Sequence, residues 1–152
     1  MQEPADVSAA VDDVDSRYLQ TLIGYNARRA SLVVIELFHQ RMAVYDLRPV
    51  EFSVLSLIVH NPGITSRQLC AALRLLPPNL VSKISHLEKR DLIERQAHPQ
   101  DGRAVGLHPT ATAVTLMRDA EYTASKLEDE VAGRLSVLEK KTLIRLLQKV
   151  YV

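Results

Sequence analysis

The sequence is poor in cysteine and in long apolar segments, and both shortages exclude classes of protein. Its one cysteine, Cys70, cannot form an internal disulfide, which fits a reducing compartment. No run of about 18 apolar residues occurs, so no membrane span is predicted. The acidic start MQEPADVSAAVDDVD lacks the basic-then-apolar order of a secretory signal. We therefore expect a cytoplasmic protein.

Motifs of catalysis and of metal or cofactor binding are also missing. The 5 histidines lack metal-ligand spacing, and there is no glycine-rich nucleotide loop and no pairing of a nucleophile with a base. A chain of 152 residues suits one domain and leaves no room for a catalytic domain beside it. Cys70 follows Leu69 on the predicted core side of a helix, which favours packing over a redox role. We expect no cofactor, no metal and no enzyme activity.

Apolar residues recur at helical spacing over most of the chain. A first helix is predicted from Asp15 or Ser16 to about Tyr45, which at 1.5 Å per residue spans roughly 45 Å. Its segment LVVIELF is apolar nearly all round, which indicates contact with a partner chain. Capping boxes at Thr65/Gln68 and Ser136/Glu139 mark two later helix starts. The predicted helices are 15–45, 49–60, 65–73, 79–90, 110–132 and 136–150, after an acidic arm at 1–14.

The fourth and fifth predicted helices are separated by a hairpin. Residues 92–95 are predicted to form a strand, residues 105–107 its return, and HPQDGRA the loop between them. Two short helices followed by a hairpin make a winged helix-turn-helix. We therefore predict a mainly α (α+β) fold. Its parts are a flexible acidic arm (1–14), a helical dimerisation region (15–48 and 110–152) and a DNA-binding region (49–109).

The charge distribution agrees weakly with a nucleic-acid partner. The whole chain has a formal net charge of only +1, but residues 65–110 carry a net charge of +3. A positive centre in a slightly acidic frame is compatible with a phosphate-binding surface.

The fourth helix has apolar residues on one side and short polar residues, Asn79, Ser82 and His86, on the other. Short side chains permit close approach to base edges, and an asparagine can pair with adenine. If the fourth helix begins at Asn79, as predicted, its first turn would also offer free backbone N–H groups to a phosphate. An ordinary solvated face explains this helix alone equally well.

The hairpin that follows favours DNA contact over a solvated face, because it brings together four polar or charged residues: Arg95, His98, Asp101 and Arg103. Asp101 lies two residues before Arg103, so its carboxylate could orient the guanidinium, and an arginine at a hairpin tip suits a narrow minor groove. The alternative is a surface ion pair worth about 0–1 kcal/mol. Beside a helix-turn-helix, DNA binding is favoured. The predicted DNA contacts are Thr65, Arg67, Gln68, Pro78, Asn79, Ser82, Lys83, His86, Arg95, His98, Asp101 and Arg103.

The run LEKRDLIERQAHPQDGRAVGLHPT resembles the signature of the MarR family of bacterial transcriptional regulators. The matching positions are Leu87, Leu92, Ile93, Arg95, Asp101, Arg103, Leu107 and Thr110. The resemblance implies a homodimer that binds a palindromic operator in double-stranded DNA, most often a repressor, with Arg103 at the wing tip and Asp101 orienting it. The sequence departs from the pattern at Asp91, where glycine is usual, at Pro109, and in the PPN start of the fourth helix.

The resemblance also implies a small effector bound between the dimerisation helices and the winged unit. The PPNLV and DGRAVGLH segments are similar to regulators of aromatic-acid catabolism, some of which respond to acyl-CoA thioesters. Each candidate residue taken singly is better explained as an ion-pairing or surface residue. The candidates are Tyr25, Arg28, Arg29, His39, Phe52 and His60.

A different class of function remains open at this point. Some winged-helix modules bind protein and not DNA. Such modules tend to lose the basic wing and to keep an apolar outer helix face, and this sequence shows the reverse.

Overall fold

The computed structural model describes residues 14–152. The acidic arm predicted for residues 1–14 therefore lies, apart from Val14, outside the described residues. The chain divides into two compact units with their boundary between Val34 and Ile35. The larger unit, Ile35–Val152, contains the predicted winged helix-turn-helix.

Seven α-helices and three strands make up the described chain. The helices are α1 (Arg17–Gln20), α2 (Ile23–Met42), α3 (Pro49–His60), α4 (Ser66–Leu73), α5 (Pro77–Lys89), α6 (Ala111–Val131) and α7 (Val137–Tyr151). The strands are β1 (Ile64–Thr65), β2 (Ile93–His98) and β3 (Asp101–Pro109), and one turn of 3₁₀ helix, Ala43–Tyr45, follows α2. The predicted fold class, mainly helical with a small antiparallel sheet, is confirmed.

The single long first helix predicted for residues 15–45 was wrong, because the chain breaks between α1 and α2. The Thr21 hydroxyl donates to the Tyr18 carbonyl at 2.7 Å. The Asn26 side-chain amide donates to the Gln20 and Leu22 carbonyls, both at 2.8 Å. Side chains that bond nearby carbonyls compete with helix continuation. The break thus arises from local polar groups that an apolar periodicity does not register.

The core of the larger unit is built from α3, α4, α5, α6 and the sheet. Apolar residues at helical spacing on these helices are completely or almost completely buried. The most buried large side chains are Met42, Val54, Leu55, Ile58, Leu69, Leu80, Ile84, Leu87, Leu92, Leu107 and Met117. At roughly 1.5–3 kcal/mol for each side chain removed from water, this burial is the main force that fixes α5 on the rest of the unit.

The sheet has the order β1-β3-β2 and is antiparallel throughout. β2 and β3 form the predicted hairpin but extend beyond 92–95 and 105–107, with a register shift at Ala97/His98. β1 was not predicted, since two residues carry no periodicity. It exists because Ile64 pairs with Leu107 on β3. The backbone of Gly63 also lies close to Gly106, and a Cβ added to Gly106 would be 3.0 Å from the Gly63 carbonyl oxygen.

The turn from α5 into β2 has the backbone conformation expected from the sequence. Asp91 has a φ of 54°, in the left-handed region that glycine usually occupies after a helix. The Thr110 hydroxyl donates to the Asp91 carbonyl at 2.8 Å, which ties this turn to the start of α6. Aspartate is therefore accommodated at this position.

None of the helices in residues 14–152 combines the length and apolar character needed to cross a membrane.

Candidate nucleic-acid interface

The two faces predicted for the fourth helix are found in α5, except that the apolar Val81 beside the buried face is 58% exposed. Leu80, Ile84 and Leu87 are buried against the unit. Asn79 and Ser82 are exposed on the other side. The Ser82 hydroxyl donates to the Asn79 carbonyl at 2.9 Å, so its oxygen remains an acceptor toward solvent. The outward face is short and polar, as close approach to base edges requires.

The start of α5 differs from the expected one. The helix begins at Pro77 and not at Asn79, because proline is well suited to the first turn. Prolines carry no N–H, and the amides of Asn79 and Leu80 both donate to the Leu76 carbonyl, at 3.0 and 3.2 Å. The predicted phosphate site of free N–H groups at this helix start was therefore wrong. Asn79 and the exposed Pro78 still lie in the first turn.

Thr65 and Gln68 form the predicted capping box at the start of α4. The backbone N–H of Gln68 donates to the Thr65 hydroxyl at 3.3 Å. In return, the backbone N–H of Thr65 donates to the side-chain oxygen of Gln68 at 2.9 Å. Both side chains therefore stabilise the helix start. Arg67, between them, is exposed. Contact of these three residues with DNA stays a prediction.

Arg95, on β2, is joined to Glu88 near the end of α5. Its Nε and Nη2 atoms donate to the two carboxylate oxygens, which makes the ion pair bidentate. The guanidinium hydrogen bonds hold the pKa of Glu88 below its ordinary value and raise the pKa of Arg95. Arg95 thus fixes the wing, which is the hairpin of β2 and β3, to the end of α5, an ion pair that the sequence did not reveal.

Asp101 and Arg103 lie on β3, beside the turn of residues 99–100 at the wing tip, but they interact differently from the expectation. The Asp101 carboxylate accepts from the backbone amide of Arg103 at 3.0 Å. Asp101 therefore shapes the turn, and both residues are exposed. His98, the residue opposite Asp101, accepts at Nδ1 from the Gln100 amide at 3.3 Å. Arg103 is thus exposed on β3, three residues after the turn at the wing tip.

One residue at this surface was missed by the sequence interpretation. Glu51 of α3 is only 4% exposed, and its carboxylate lies 3.0 Å from His86 Nδ1 and 3.9 Å from Lys83 Nζ, both on α5. The sequence signal was weak: an acidic residue three positions after Arg48 indicates only a helix start. The partners are 32 and 35 positions away along the chain, so no local pattern reveals them.

The six predicted effector residues lie in different environments. Tyr25, Arg28 and Arg29 lie on α2 in the smaller unit, where both arginines are exposed. In the larger unit, Phe52 packs edge-on against Phe38 with ring centroids 5.5 Å apart, and His60 Nε2 lies 2.9 Å from Glu121. His39 is exposed on α2. Their binding of an effector stays a prediction.

A surface cavity of about 410 Å³ lies elsewhere, between the end of α3, β1, α4 and the wing. Leu57, Ile64 and Ala72 line it together with the polar side chains of Gln68 and His98. None of the six predicted effector residues lines this cavity. Within residues 14–152 no group of three or more histidine, cysteine or acidic side chains is placed to hold a metal ion.

A polar outward helix face beside a β-hairpin tipped with arginine is the arrangement of a winged helix-turn-helix protein that binds DNA. Comparison with known proteins agrees with this class. The profile of the MarR family matches residues 45–104. The structure of CouR, a transcriptional repressor bound to a 23-mer DNA duplex, is similar with a TM-score of 0.85 and 30% identity, covering 92% of this chain and 99% of that chain.

Two further comparisons extend the likeness along the chain. A protein of Thauera aromatica proposed to regulate transcription of the hcr operon is 28% identical over 130 residues, which is 85% of this chain and 78% of that protein. The apo form of MarR from E. coli has the same fold, with a TM-score of 0.74 and 23% identity over 86% of this chain and 98% of that one. The chain belongs to the MarR family of DNA-binding transcriptional regulators, which are not enzymes.

Proposed function

We propose that the protein is a homodimeric repressor that binds a palindromic operator and is released by a small effector. The observation that carries the operator proposal is the pairing of α5, with Asn79, Ser82 and His86 outward, and the wing, with Arg103 at its tip. In this proposal α5 enters the major groove and Arg103 the adjacent minor groove. The similarity to CouR, a repressor bound to a DNA duplex, supports the assignment.

The proposal of a homodimer rests on apolar surface that one chain leaves exposed. α7 has 15 residues and an N-terminal capping box, yet none of its side chains is buried. Leu146, Leu147 and Val150 are 48%, 42% and 67% exposed. On α2, Leu32 and Val33 are 47% and 58% exposed. Monomeric proteins rarely expose patches of this kind, and a two-fold dimer covers the same surface on both copies.

A matched pair of variants on α7 tests the dimer. Leu146→Lys places a charge on the apolar face, whereas Gln148→Lys places the same side chain on the opposite face of the helix. Sedimentation velocity at micromolar concentration should give about twice the 17.0 kDa chain mass for the wild type and Gln148→Lys, and the monomer mass for Leu146→Lys. A wild-type monomer would contradict the dimer.

The operator is tested by selection from a duplex pool with a randomised segment. Two α5 helices related by two-fold symmetry should enrich an inverted repeat whose half-sites are about one helical turn, roughly 34 Å, apart. An enriched single site without a repeat would contradict a dimer on a palindrome. Absence of any enriched sequence would favour the alternative function, a winged-helix module that binds protein.

The proposed effector is an aromatic carboxylic acid or its acyl-CoA thioester. Arg28 and Arg29 support this choice, since they are exposed on α2 and guanidinium groups bind carboxylate and phosphate bidentately. Benzoate and benzoyl-CoA should release the wild type from the selected operator. The variant Arg28→Gln/Arg29→Gln should bind the same operator equally well and resist release. Unchanged release of this variant would place the effector elsewhere, for example in the cavity beside Ile64 and His98.

A further inference from the structure

The interaction between Glu51 and His86 joins a buried charge to the outward face of α5. Among the charged side chains of residues 14–152, Glu51 alone is buried, with 4% exposed, whereas the His86 side chain is 44% exposed. A buried charge needs partners that satisfy both of its oxygens. His86 is one of those partners, so its hydrogen bond to Glu51 determines whether the other ring nitrogen is a donor or an acceptor toward solvent.

The two carboxylate oxygens of Glu51 have different partners. Oε2 accepts from the backbone amide of Arg48 at 3.1 Å, which is the reverse half of a capping box at the start of α3. Oε1 lies 3.0 Å from His86 Nδ1. The Lys83 ammonium, 3.9 Å from the same oxygen, compensates the buried negative charge. The backbone N–H of Arg48 can only donate a hydrogen bond, so it always requires an acceptor atom from the side chain at position 51.

We propose that Glu51 sets the tautomer of His86 and thereby determines which bases His86 can read. A carboxylate can only accept, so the ring must carry a proton on Nδ1 to donate to Oε1. In the neutral ring the second nitrogen, Nε2, is then an unprotonated acceptor. An acceptor at the outer face of α5 pairs with the amino group of adenine or cytosine in the major groove. Glu51 is a positioning residue that acts through His86.

Glu51→Gln should invert this arrangement. The backbone amide of Arg48 is only a donor, so it requires the amide oxygen of the glutamine. The NH₂ group is then left facing His86 Nδ1, and it can only donate. Nδ1 must therefore lose its proton, and Nε2 becomes a donor. A donor suits N7 and O6 of guanine, O4 of thymine and N7 of adenine, but no atom that cytosine presents in the major groove. The variant changes few atoms and reverses the hydrogen-bonding character of His86.

Long-range ¹H–¹⁵N NMR of the histidine rings tests the tautomer without DNA. Spectra are recorded at pH 8.5, above the ordinary titration range of histidine, and His86 is assigned by the signal lost in His86→Gln. His60 is an internal control of opposite type, because its Nε2 faces the Glu121 carboxylate at 2.9 Å. The wild type should show His86 protonated at Nδ1 and His60 at Nε2. Glu51→Gln should move the His86 proton to Nε2 and leave His60 unchanged.

The wild-type spectrum alone can overturn the proposal, so the test remains decisive even if Glu51→Gln folds poorly. A wild-type His86 protonated at Nε2 would refute the control by Glu51. A Glu51→Gln spectrum with His86 still protonated at Nδ1 would refute it as well. A change in His60 alongside His86 would show a general structural disturbance and would likewise overturn the specific role of Glu51.

Base reading is tested by selection from the randomised duplex pool, and this part rests on the proposed operator binding. At pH 8.5, wild type should enrich adenine or cytosine about fivefold at one position of each half-site. Glu51→Gln should select against cytosine there and newly admit guanine or thymine. His86→Ala should show no preference at that position and keep the others. An unchanged preference in Glu51→Gln, with the tautomer inverted, would overturn base reading by His86. Failure of the wild type to select any sequence would refute operator binding itself, and the NMR result would still decide the tautomer.

Discussion

The Asp101 carboxylate accepts a hydrogen bond from the backbone amide of Arg103 at 3.0 Å. This geometry assigns Asp101 a role in shaping the wing turn, whereas the sequence had indicated a carboxylate that orients the guanidinium. The two roles have different chemical requirements. A turn needs only an acceptor oxygen, while an ion pair needs the charge.

Asp101→Asn distinguishes these roles. Asparagine keeps an acceptor oxygen and removes a negative charge from the surface that we propose to face the DNA phosphates, so we expect DNA affinity to be unchanged or raised up to about threefold. Asp101→Ala removes the acceptor and should weaken binding about threefold or more, because the turn loosens. Fluorescence anisotropy on a selected operator measures both. Equal losses in the two variants would show that the charge is required.

Gly106→Ala should destabilise the protein by about 1–3 kcal/mol through overpacking. An added Cβ would lie 3.0 Å from the Gly63 carbonyl oxygen and 3.1 Å from its Cα, and backbone atoms cannot move aside as a side-chain end can. Thermal unfolding by circular dichroism measures the effect. Gly102→Ala, in the same strand, has no heavy atom within 4 Å of the added Cβ and is the matched control. Equal melting temperatures of the two variants would disprove the close approach of Gly63 to Gly106 on β3.

The pair between Glu88 and Arg95 should contribute stability that disappears in acid. The guanidinium hydrogen bonds hold the pKa of Glu88 below its ordinary value of 4.5, so ionised Glu88 favours the folded state. This contribution is fully present above the unfolded-state pKa and is lost as the pH falls through the lower folded-state pKa. For a pair this exposed we expect at most about 1 kcal/mol.

Glu88→Gln measures this contribution by urea unfolding. The variant should be less stable than the wild type at pH 7, and the difference should shrink as the pH is lowered below 4.5. Glu94→Gln is the control, since Glu94 lies exposed on β2 and accepts only from the side-chain NH₂ group of Gln96 among the described hydrogen bonds. A difference for Glu88→Gln that is independent of pH would exclude the ion pair as its source.

Local signals in the sequence predicted the elements that local interactions form. The capping boxes at Thr65/Gln68 and Ser136/Glu139 located the starts of α4 and α7, because both members of each box lie within one turn. The proline preference at the first turn, applied to Pro49, located the start of α3. The same preference was not applied to Pro77, and the start of α5 was therefore placed two residues late.

Contacts between distant parts of the chain were the ones that the sequence did not reveal. β1 exists through pairing of Ile64 with Leu107, and Glu51 reaches His86 across the packing of α3 on α5. The outward face of α5 was predictable because the spacing of apolar residues fixes the buried face and hence its opposite. What each outward side chain bonds to depends on the tertiary fold, as Arg95 and Glu88 show.

The central claim is that the wing tip binds DNA through Arg103, and salt-dependent anisotropy tests it most directly. Wild type, Arg103→Ala and Arg134→Ala are titrated on the selected operator at several salt concentrations. Arg134 is the control, because it is exposed and follows the far end of α6. That helix begins just after the wing and is roughly 30 Å long. We predict that Arg103→Ala binds at least about tenfold more weakly, with a shallower salt dependence and an unchanged melting temperature, while Arg134→Ala binds like the wild type. Equal affinities and salt slopes for all three proteins would contradict the account.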